Sequence, residues 1–384
     1  MKKLLVILLV LGLAAPAMAS DWYFYGSART HLGYYMVDED FATGPATDPS
    51  IGSNGLDDDS GTTLNLYGQS RFGGKAVVSD NFSGGFEFGL RETGTGGEEE
   101  AVYLRLIYGT WNFGAGKLMV GKHYTPATFL GYSGMGADLG DNGDANMLVA
   151  GLAYIGRQPQ IRLSFGSFDI ALIQPNTSAN DLGAGDIDFT FPRIEAAYVF
   201  KTPVVSIRPI AAFQTYKAED QTTGDDETIM SYTLGLGVSA TLGPAYIKAT
   251  FSYLQNPGNY GDTNLLVLDA LRVGAGNAQF INGDVEDAEE MQGTFVVGVK
   301  LNKAFGLEAG VGYGSLEQDV AVLGGATVKQ TGFVYYLQAP IGLAKGVTLI
   351  PEIGMMDRDD YEIGGVDVPA GDMTYVDVNF RVDF

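Results

Sequence analysis

What most constrains this chain is an alternation at two scales. Within segments, apolar and polar residues alternate with the period of two that marks β-strand. Examples are Leu64-Asn65-Leu66-Tyr67-Gly68-Gln69-Ser70-Arg71-Phe72, Ile161-Arg162-Leu163-Ser164-Phe165 and Ala245-Tyr246-Ile247-Lys248-Ala249-Thr250-Phe251. The pattern predicts sixteen strands, at 22–37, 62–78, 82–91, 101–113, 117–124, 159–165, 168–174, 189–200, 205–216, 229–242, 245–254, 291–301, 305–315, 329–340, 347–355 and 372–384. Between segments, the connections alternate in length. Those after even-numbered strands are turns such as Ser79-Asp80-Asn81, Gly114-Ala115-Gly116 and Gly243-Pro244, whereas those after odd-numbered strands include 38–61, 125–158 and 255–290. Short turns at one end, long loops at the other and an even strand number are what an up-and-down membrane barrel shows, and a soluble sandwich has no reason to keep that alternation. Most segments also approach the roughly 9–11 residues with which a tilted strand crosses a bilayer. The expected fold class is all-β: a 16-stranded antiparallel transmembrane β-barrel, apolar faces to lipid and polar faces to a wet lumen.

The first nineteen residues stand apart. Lys2 and Lys3 precede an apolar run from Leu4 to Ala15, and Ala17-Met18-Ala19 closes it. A basic start, a short apolar core and an A-x-A end predict a signal peptide over 1–19 and a single barrel domain over 20–384. The core is shorter than the roughly 17–25 residues that a spanning helix needs. The absence of cysteine excludes a disulfide scaffold and an anchor through a lipidated Cys. With two scattered histidines besides, zinc, haem and iron–sulfur sites have no support, and no cofactor is expected.

Charge is sorted by segment. The formal charge is −23, yet 36 of the 46 acidic residues fall in the eight predicted long loops, which leaves the strands and turns net basic. Asp57-Asp58-Asp59 and Glu98-Glu99-Glu100 read first as solvated faces, and second as ligands for divalent cations shared with lipopolysaccharide phosphates. The strand bases Arg29, His31, Arg71, Lys75, Arg91, Arg105 and Arg162 mostly fall on the polar parity. An Arg facing lipid near the midplane costs about 2–4 kcal/mol, so these side chains should point into the lumen as a basic patch on one wall. Glu87, Asp169 and Glu195 are candidate partners for some of them.

One segment breaks the strand pattern. Residues 124–146 read YTPATFLGYSGMGADLGDNGDAN, with a Pro that cannot continue a ladder, five glycines between Gly131 and Gly143, and Asp138, Asp141 and Asp144 at three-residue spacing. Phe129, Leu130, Met135, Leu139, Met147 and Leu148 give it apolar surface that an exposed loop would not need. It is expected to fold back into the barrel, its acids aimed at the opposite bases. The approach, Lys117-Leu118-Met119-Val120-Gly121-Lys122-His123-Tyr124-Thr125-Pro126, resembles the L-x-V-G-[RK]-x-Y-T-P pattern of the Gram-negative general porins, and the strictly alternating end from Thr374 to Phe384 resembles their C-terminal assembly signal, Phe384. The resemblance implies that Asp138, Asp141 and Asp144 form the loop side of a constriction, with Arg71, Arg91 and Arg105 on the wall; Arg29 and Arg162 share that parity. The P-E-[FW]-G-G loop tip of that family is absent. The resemblance further implies a homotrimer in outer-membrane lipid and lipopolysaccharide, placed by the barrel assembly machinery and passing small hydrophilic solutes. Gly26, Ala28, Gly68 and Ser70 are candidates for a smooth outward patch suited to subunit packing.

Other readings make different demands. A hydrolase would need more than His31 and His123, neither of which has a G-x-S-x-G or similar neighbour. A solute-selective channel for sugars or anions would use aromatics such as Tyr23, Tyr25, Tyr67 and Tyr103 on the lumen side, and a surface anchor or adhesin would use only the loops. A structural Ca²⁺ is a weak candidate at Asp138–Asp144 or Asn282–Asp287, because neither keeps the 1-3-5-12 ligand spacing. So acidic a chain is not expected to bind nucleic acid.

Overall fold

A computed structural model describes residues 21–38, 60–66, 69–93, 99–134, 151–177, 184–260 and 276–384. Its strands are β1 (Asp21–Val37), β2 (Ser60–Leu66 and Ser70–Ser79), β3 (Phe82–Thr93), β4 (Glu99–Asn112), β5 (Lys117–Tyr124), β6 (Arg157–Phe165), β7 (Phe168–Ile173) and β8 (Ala184–Asp188, Arg193–Tyr198 and Phe200–Lys201). They continue as β9 (Val205–Asp220), β10 (Asp226–Leu242), β11 (Ala245–Gln255), β12 (Glu289–Lys300), β13 (Gly306–Val320), β14 (Ala326–Gln338 and Ile341–Ala344), β15 (Val347–Arg358) and β16 (Asp372–Asp383). Each pairs antiparallel with the next, and β16 returns to β1 through Ser27↔Asp383 to Val37↔Met373, so the sheet closes. Closure removes every free edge, which is what lets a β-structure sit in lipid.

The sixteen strands lie where the two-scale alternation put them, with three differences. The ladder of β8 is interrupted at 189–192, where Pro192 lacks the N–H that a central strand needs. Strands β9, β10, β13 and β14 keep pairing beyond their predicted ends, so the connections 221–225 and 321–325 shrink to hairpin turns. Two further hairpins, Gln279–Ile281 with Asp284–Glu286 and Tyr361–Ile363 with Val366–Val368, rise from the long connections after β11 and β15.

Parity sorts the wall into two faces. On β10, Met230, Leu234 and Leu236 are exposed while Ser231 and Thr233 between them are buried. Phe72, Ile107, Ile161, Phe251 and Phe295 continue the exposed apolar face around the ring. The buried apolar clusters lie on the other face, each joining a connection to the inner wall. Phe129, Tyr132, Leu152 and Ile155 pack with Ala197, Ile210 and Ala212 of β8–β9 and with Tyr260. Ala278 and Phe280 pack on the outer ends of β8–β10, and Tyr361 and Ala370 on Val320 and Val328.

The outward patch of small residues is corrected only in part: Ala28 is exposed on the outer face as expected, but Gly26 and Ser70 differ. Gly26 lies under the ring of Phe384, and a Cβ there would overlap it. Ser70 is buried, its Oγ taking the Arg29 N–H and donating to the Arg29 carbonyl where the β1–β2 ladder is interrupted. Gly68 lies outside the described residues.

Candidate functional site

The site is built on the wall from β1 to β6. At its centre Glu87 of β3, 5% exposed, accepts Arg105 Nε at 2.6 Å and the Tyr25 hydroxyl at 3.0 Å, with Arg71 Nε at 3.8 Å. Arg105 reaches it through a β-bulge: Glu87 pairs with Leu106 and Phe88 with Leu104, so Arg105 is the extra residue. A bulge re-aims the side chain that it carries. Arg105 is fully buried and donates onward to the Tyr124 hydroxyl at 2.9 Å and the Tyr103 hydroxyl at 3.3 Å. The β4–β5 pairing stops at Ile107↔Lys122, so Arg105 and Tyr124 span a gap that backbone bonds no longer close.

Gly121 makes that gap possible. Its φ is +134°, which side-chain-bearing residues rarely adopt, and a Cβ would overlap the Ile107 carbonyl. The glycine of the L-x-V-G pattern is therefore a requirement of the backbone. Beyond it, His123 stacks edge-on against Tyr108 at 4.8 Å, and Arg162 of β6 bonds Gln160 Oε1 at 3.1 Å and approaches His123 Nδ1 at 3.3 Å. Lys75 lies 5.8 Å from the Tyr25 ring centroid.

The predicted wall residues thus divide. Arg71 and Arg105 meet at Glu87, Arg162 stands beside His123, and Arg29 bonds Ser27 Oγ at 2.9 Å and Gln69 near the β1–β2 interruption. Of Arg91 the backbone alone is described, opposite Ala101. Asp138, Asp141 and Asp144 lie outside the described residues. His31 is buried beside Asn379. Phe384 exchanges backbone bonds with Gly26 at 2.8 and 3.0 Å and leaves its ring exposed on the outer face.

The described arms of the third loop, 125–134 and 151–156, are fastened at their root. Thr125 N donates to Gly156 O at 3.1 Å and Phe129 N to Ala153 O at 2.9 Å, tying arm to arm. Ala127 N donates to Glu195 Oε2 at 2.9 Å, and Arg208 Nη2 to the Pro126 carbonyl at 2.9 Å. Burial raises the Tyr132 phenol above its ordinary value, and the nearby Arg208 guanidinium opposes that shift. Glu195 is paired with Arg193 at 3.1 Å, and Arg193 also holds Tyr260 of the sixth loop by its carbonyl at 3.1 Å and its ring at 5.5 Å. One buried ion pair therefore holds two loops. Farther along, Gly134 meets Glu308 and Gln338, and Gly151 lies against the carbonyls of Gly293 and Tyr313.

Sequence reasoning missed Arg193, Arg208 and Lys248, although each sits on a strand, and it missed the sixth loop. The signal for that loop was the one used for the third: Tyr260, Phe280 and Ile281 are apolar surface in a long connection. Among the described residues, no group of three or more His, Asp or Glu is placed to hold a metal ion. Asp287 accepts Gln255 Nε2 at 2.7 Å and Asn256 Nδ2 at 2.6 Å.

No protein-family model matches the sequence, and no curated protein matches it. Solved structures do. The outer-membrane channel DcaP of Acinetobacter baumannii superposes with a TM-score of 0.65 at 16% identity, over 95% of this chain and 97% of that one. The anion-selective porin of Comamonas acidovorans gives 0.57 at 14%, over 95% and 99%. The trimer form of OmpT, an outer-membrane protein of Vibrio cholerae, gives 0.54 at 17%, over 95% and 99%. A closed ring of sixteen antiparallel strands, matched over nearly the whole length of each of these, is the fold of the Gram-negative outer-membrane porins, and this chain has it.

Proposed function

We propose that the protein is an outer-membrane porin, a water-filled channel for passive diffusion of small hydrophilic solutes. The observation that carries this reading is the position of the two residues flanking 135–150. Gly134 and Gly151 both lie against β12–β14, about half the ring of sixteen away from β5, where the loop begins. The bases Arg71, Arg105 and Arg162 stand on β2, β4 and β6. On this reading Asp138, Asp141 and Asp144 project from the far side toward those bases, and solutes cross between them. A transverse field in a narrow wet passage orients dipolar solutes, and apolar solutes are excluded because they displace the water that solvates the charged lining and supply no hydrogen bonds in its place. Because Glu87 neutralises Arg105, the surplus positive charge belongs to Arg71, Lys75 and Arg162.

Export by the segment 1–19, assembly through Phe384, residence beside lipopolysaccharide and a homotrimeric state complete the proposal; the trimer form of the Vibrio cholerae protein supports the last. A preference for anions is the second reading, favoured by the bases of β1–β9 and by the anion-selective porin among the matches. Planar-bilayer recording of refolded protein tests both. Stable open steps support the channel, and the reversal potential in a salt gradient gives the preferred sign. A folded barrel that never conducts refutes the proposal in favour of an anchor. Asn at 138, 141 and 144 together should move the reversal potential, and an unmoved potential removes the loop from the constriction.

A further inference from the structure

A loop that defines an aperture needs a hold at its far end as well as at its root. On the far wall, Glu308 of β13 is 4% exposed and collects three donors: the Tyr246 hydroxyl at 2.6 Å, the Tyr336 hydroxyl at 2.9 Å and Gln338 Nε2 at 2.9 Å. Lys248 Nζ stands 3.7 Å away. The Tyr336 oxygen in turn accepts the N–H of Gly134 at 3.3 Å, and the Ser133 side chain bonds to it as well. A Cβ on Gly134 would overlap Glu308 Oε1 and Gln338 Nε2, so the missing side chain is what brings the loop backbone to the carboxylate.

Elsewhere on that wall Thr250, Ser252, Gln292, Thr294 and Gln330 are buried on the inner parity of β11, β12 and β14, and among the described residues their side-chain oxygens and nitrogens have no hydrogen-bond partner. We infer that Glu308 is a positioning residue: through Tyr336 and Gln338 it latches Gly134 to the far wall and so holds the third loop at one aperture. The inference rests on the channel reading above.

Single-channel recording of Glu308→Ala, Glu308→Gln and Tyr336→Phe tests the latch, with heat-dependent gel mobility as the check that each barrel has folded. Glu308→Ala and Tyr336→Phe should lose the single conductance level, and their reversal potentials should move toward that of the triple Asn loop variant. Glu308→Gln keeps an acceptor oxygen and should behave as the wild type. A folded Glu308→Ala channel with the wild-type level and potential overturns the latch. If Glu308→Gln behaves as the Ala variant does, charge and not hydrogen bonding is the agent, which also overturns it. Should Glu308→Ala fail to fold, Tyr336→Phe decides alone, since it removes the relay and leaves the carboxylate in place. A wild type that conducts nothing overturns the channel reading and the latch with it; a conducting wild type with indifferent variants overturns the latch alone.

Discussion

The wall from β1 to β6 and the wall from β11 to β14 stand across one barrel and are made differently. On the first, charge and backbone irregularity coincide. Arg29 sits at the interruption of the β1–β2 ladder, Arg105 is the extra residue of a bulge, and Gly121 takes a φ of +134° at the close of the β4–β5 pairing. On the second, the registers of β11 with β12, β12 with β13 and β13 with β14 run unbroken. Its inner rows read Thr250, Thr294, Gly312 and Ser252, Gln292, Gly314, Gly332. A regular ladder alternates its side chains strictly in and out, so it places inward groups evenly. Gathering two guanidinium groups on one carboxylate takes a residue out of step, which is what the bulge supplies.

The largest expected effect follows from removing the carboxylate on the charged wall. Glu87→Ala leaves Arg105 fully buried without its ion pair, and stranding a buried charge costs about 3–5 kcal/mol. The heat-resistant folded band on a gel should largely disappear. Glu308→Ala on the regular wall should keep that band, because Lys248 is a quarter exposed to water and is not stranded. Equal losses in the two variants would mean that the walls do not differ in this respect.

Glycine substitutions give an intermediate test. Gly121→Ala places a Cβ against the Ile107 carbonyl at a positive φ, and such backbone strain costs about 1–3 kcal/mol. Gly293→Ala on the regular wall has its nearest atom 3.3 Å from the new carbon, so a small shift accommodates it, and its cost should stay within about 1 kcal/mol. The midpoints of the heat-induced mobility change measure both. A Gly121→Ala barrel as stable as the wild type would show that the L-x-V-G glycine is not required by the backbone.

The same contrast explains what the sequence disclosed. Strand number and parity were legible, because strict alternation survives wherever no residue is inserted. The bulge was not legible as a bulge. Its one trace is the adjacent apolar pair Leu106-Ile107 where alternation calls for a polar residue. The grouping of Arg71 and Arg105 on Glu87 therefore depends on a backbone detail that parity does not encode. Arg193 and Glu195 were visible on the polar parity of β8, but their work in holding two loops belongs to contacts between distant segments: Ala127 is 68 residues from Glu195, and Tyr260 is 67 from Arg193. The interruption of β8 lies at Pro192, whose missing N–H is visible in the sequence.

The smallest effect in energy is the most direct reading of function. Arg71 is about a quarter exposed and 3.8 Å from Glu87, so Arg71→Gln removes a weak, hydrated ion pair and should cost at most about 1 kcal/mol. Its charge nevertheless belongs to the surplus that the proposed field draws on, since Arg105 is already matched by Glu87. The reversal potential of Arg71→Gln should move toward cations with the barrel intact. Thr294→Val on the regular wall changes volume little and carries no charge, so its potential should stay at the wild-type value. If Thr294→Val moves the potential as far as Arg71→Gln does, the aperture responds to side-chain shape on either wall and not to charge on one, and the division between the walls has no bearing on what passes.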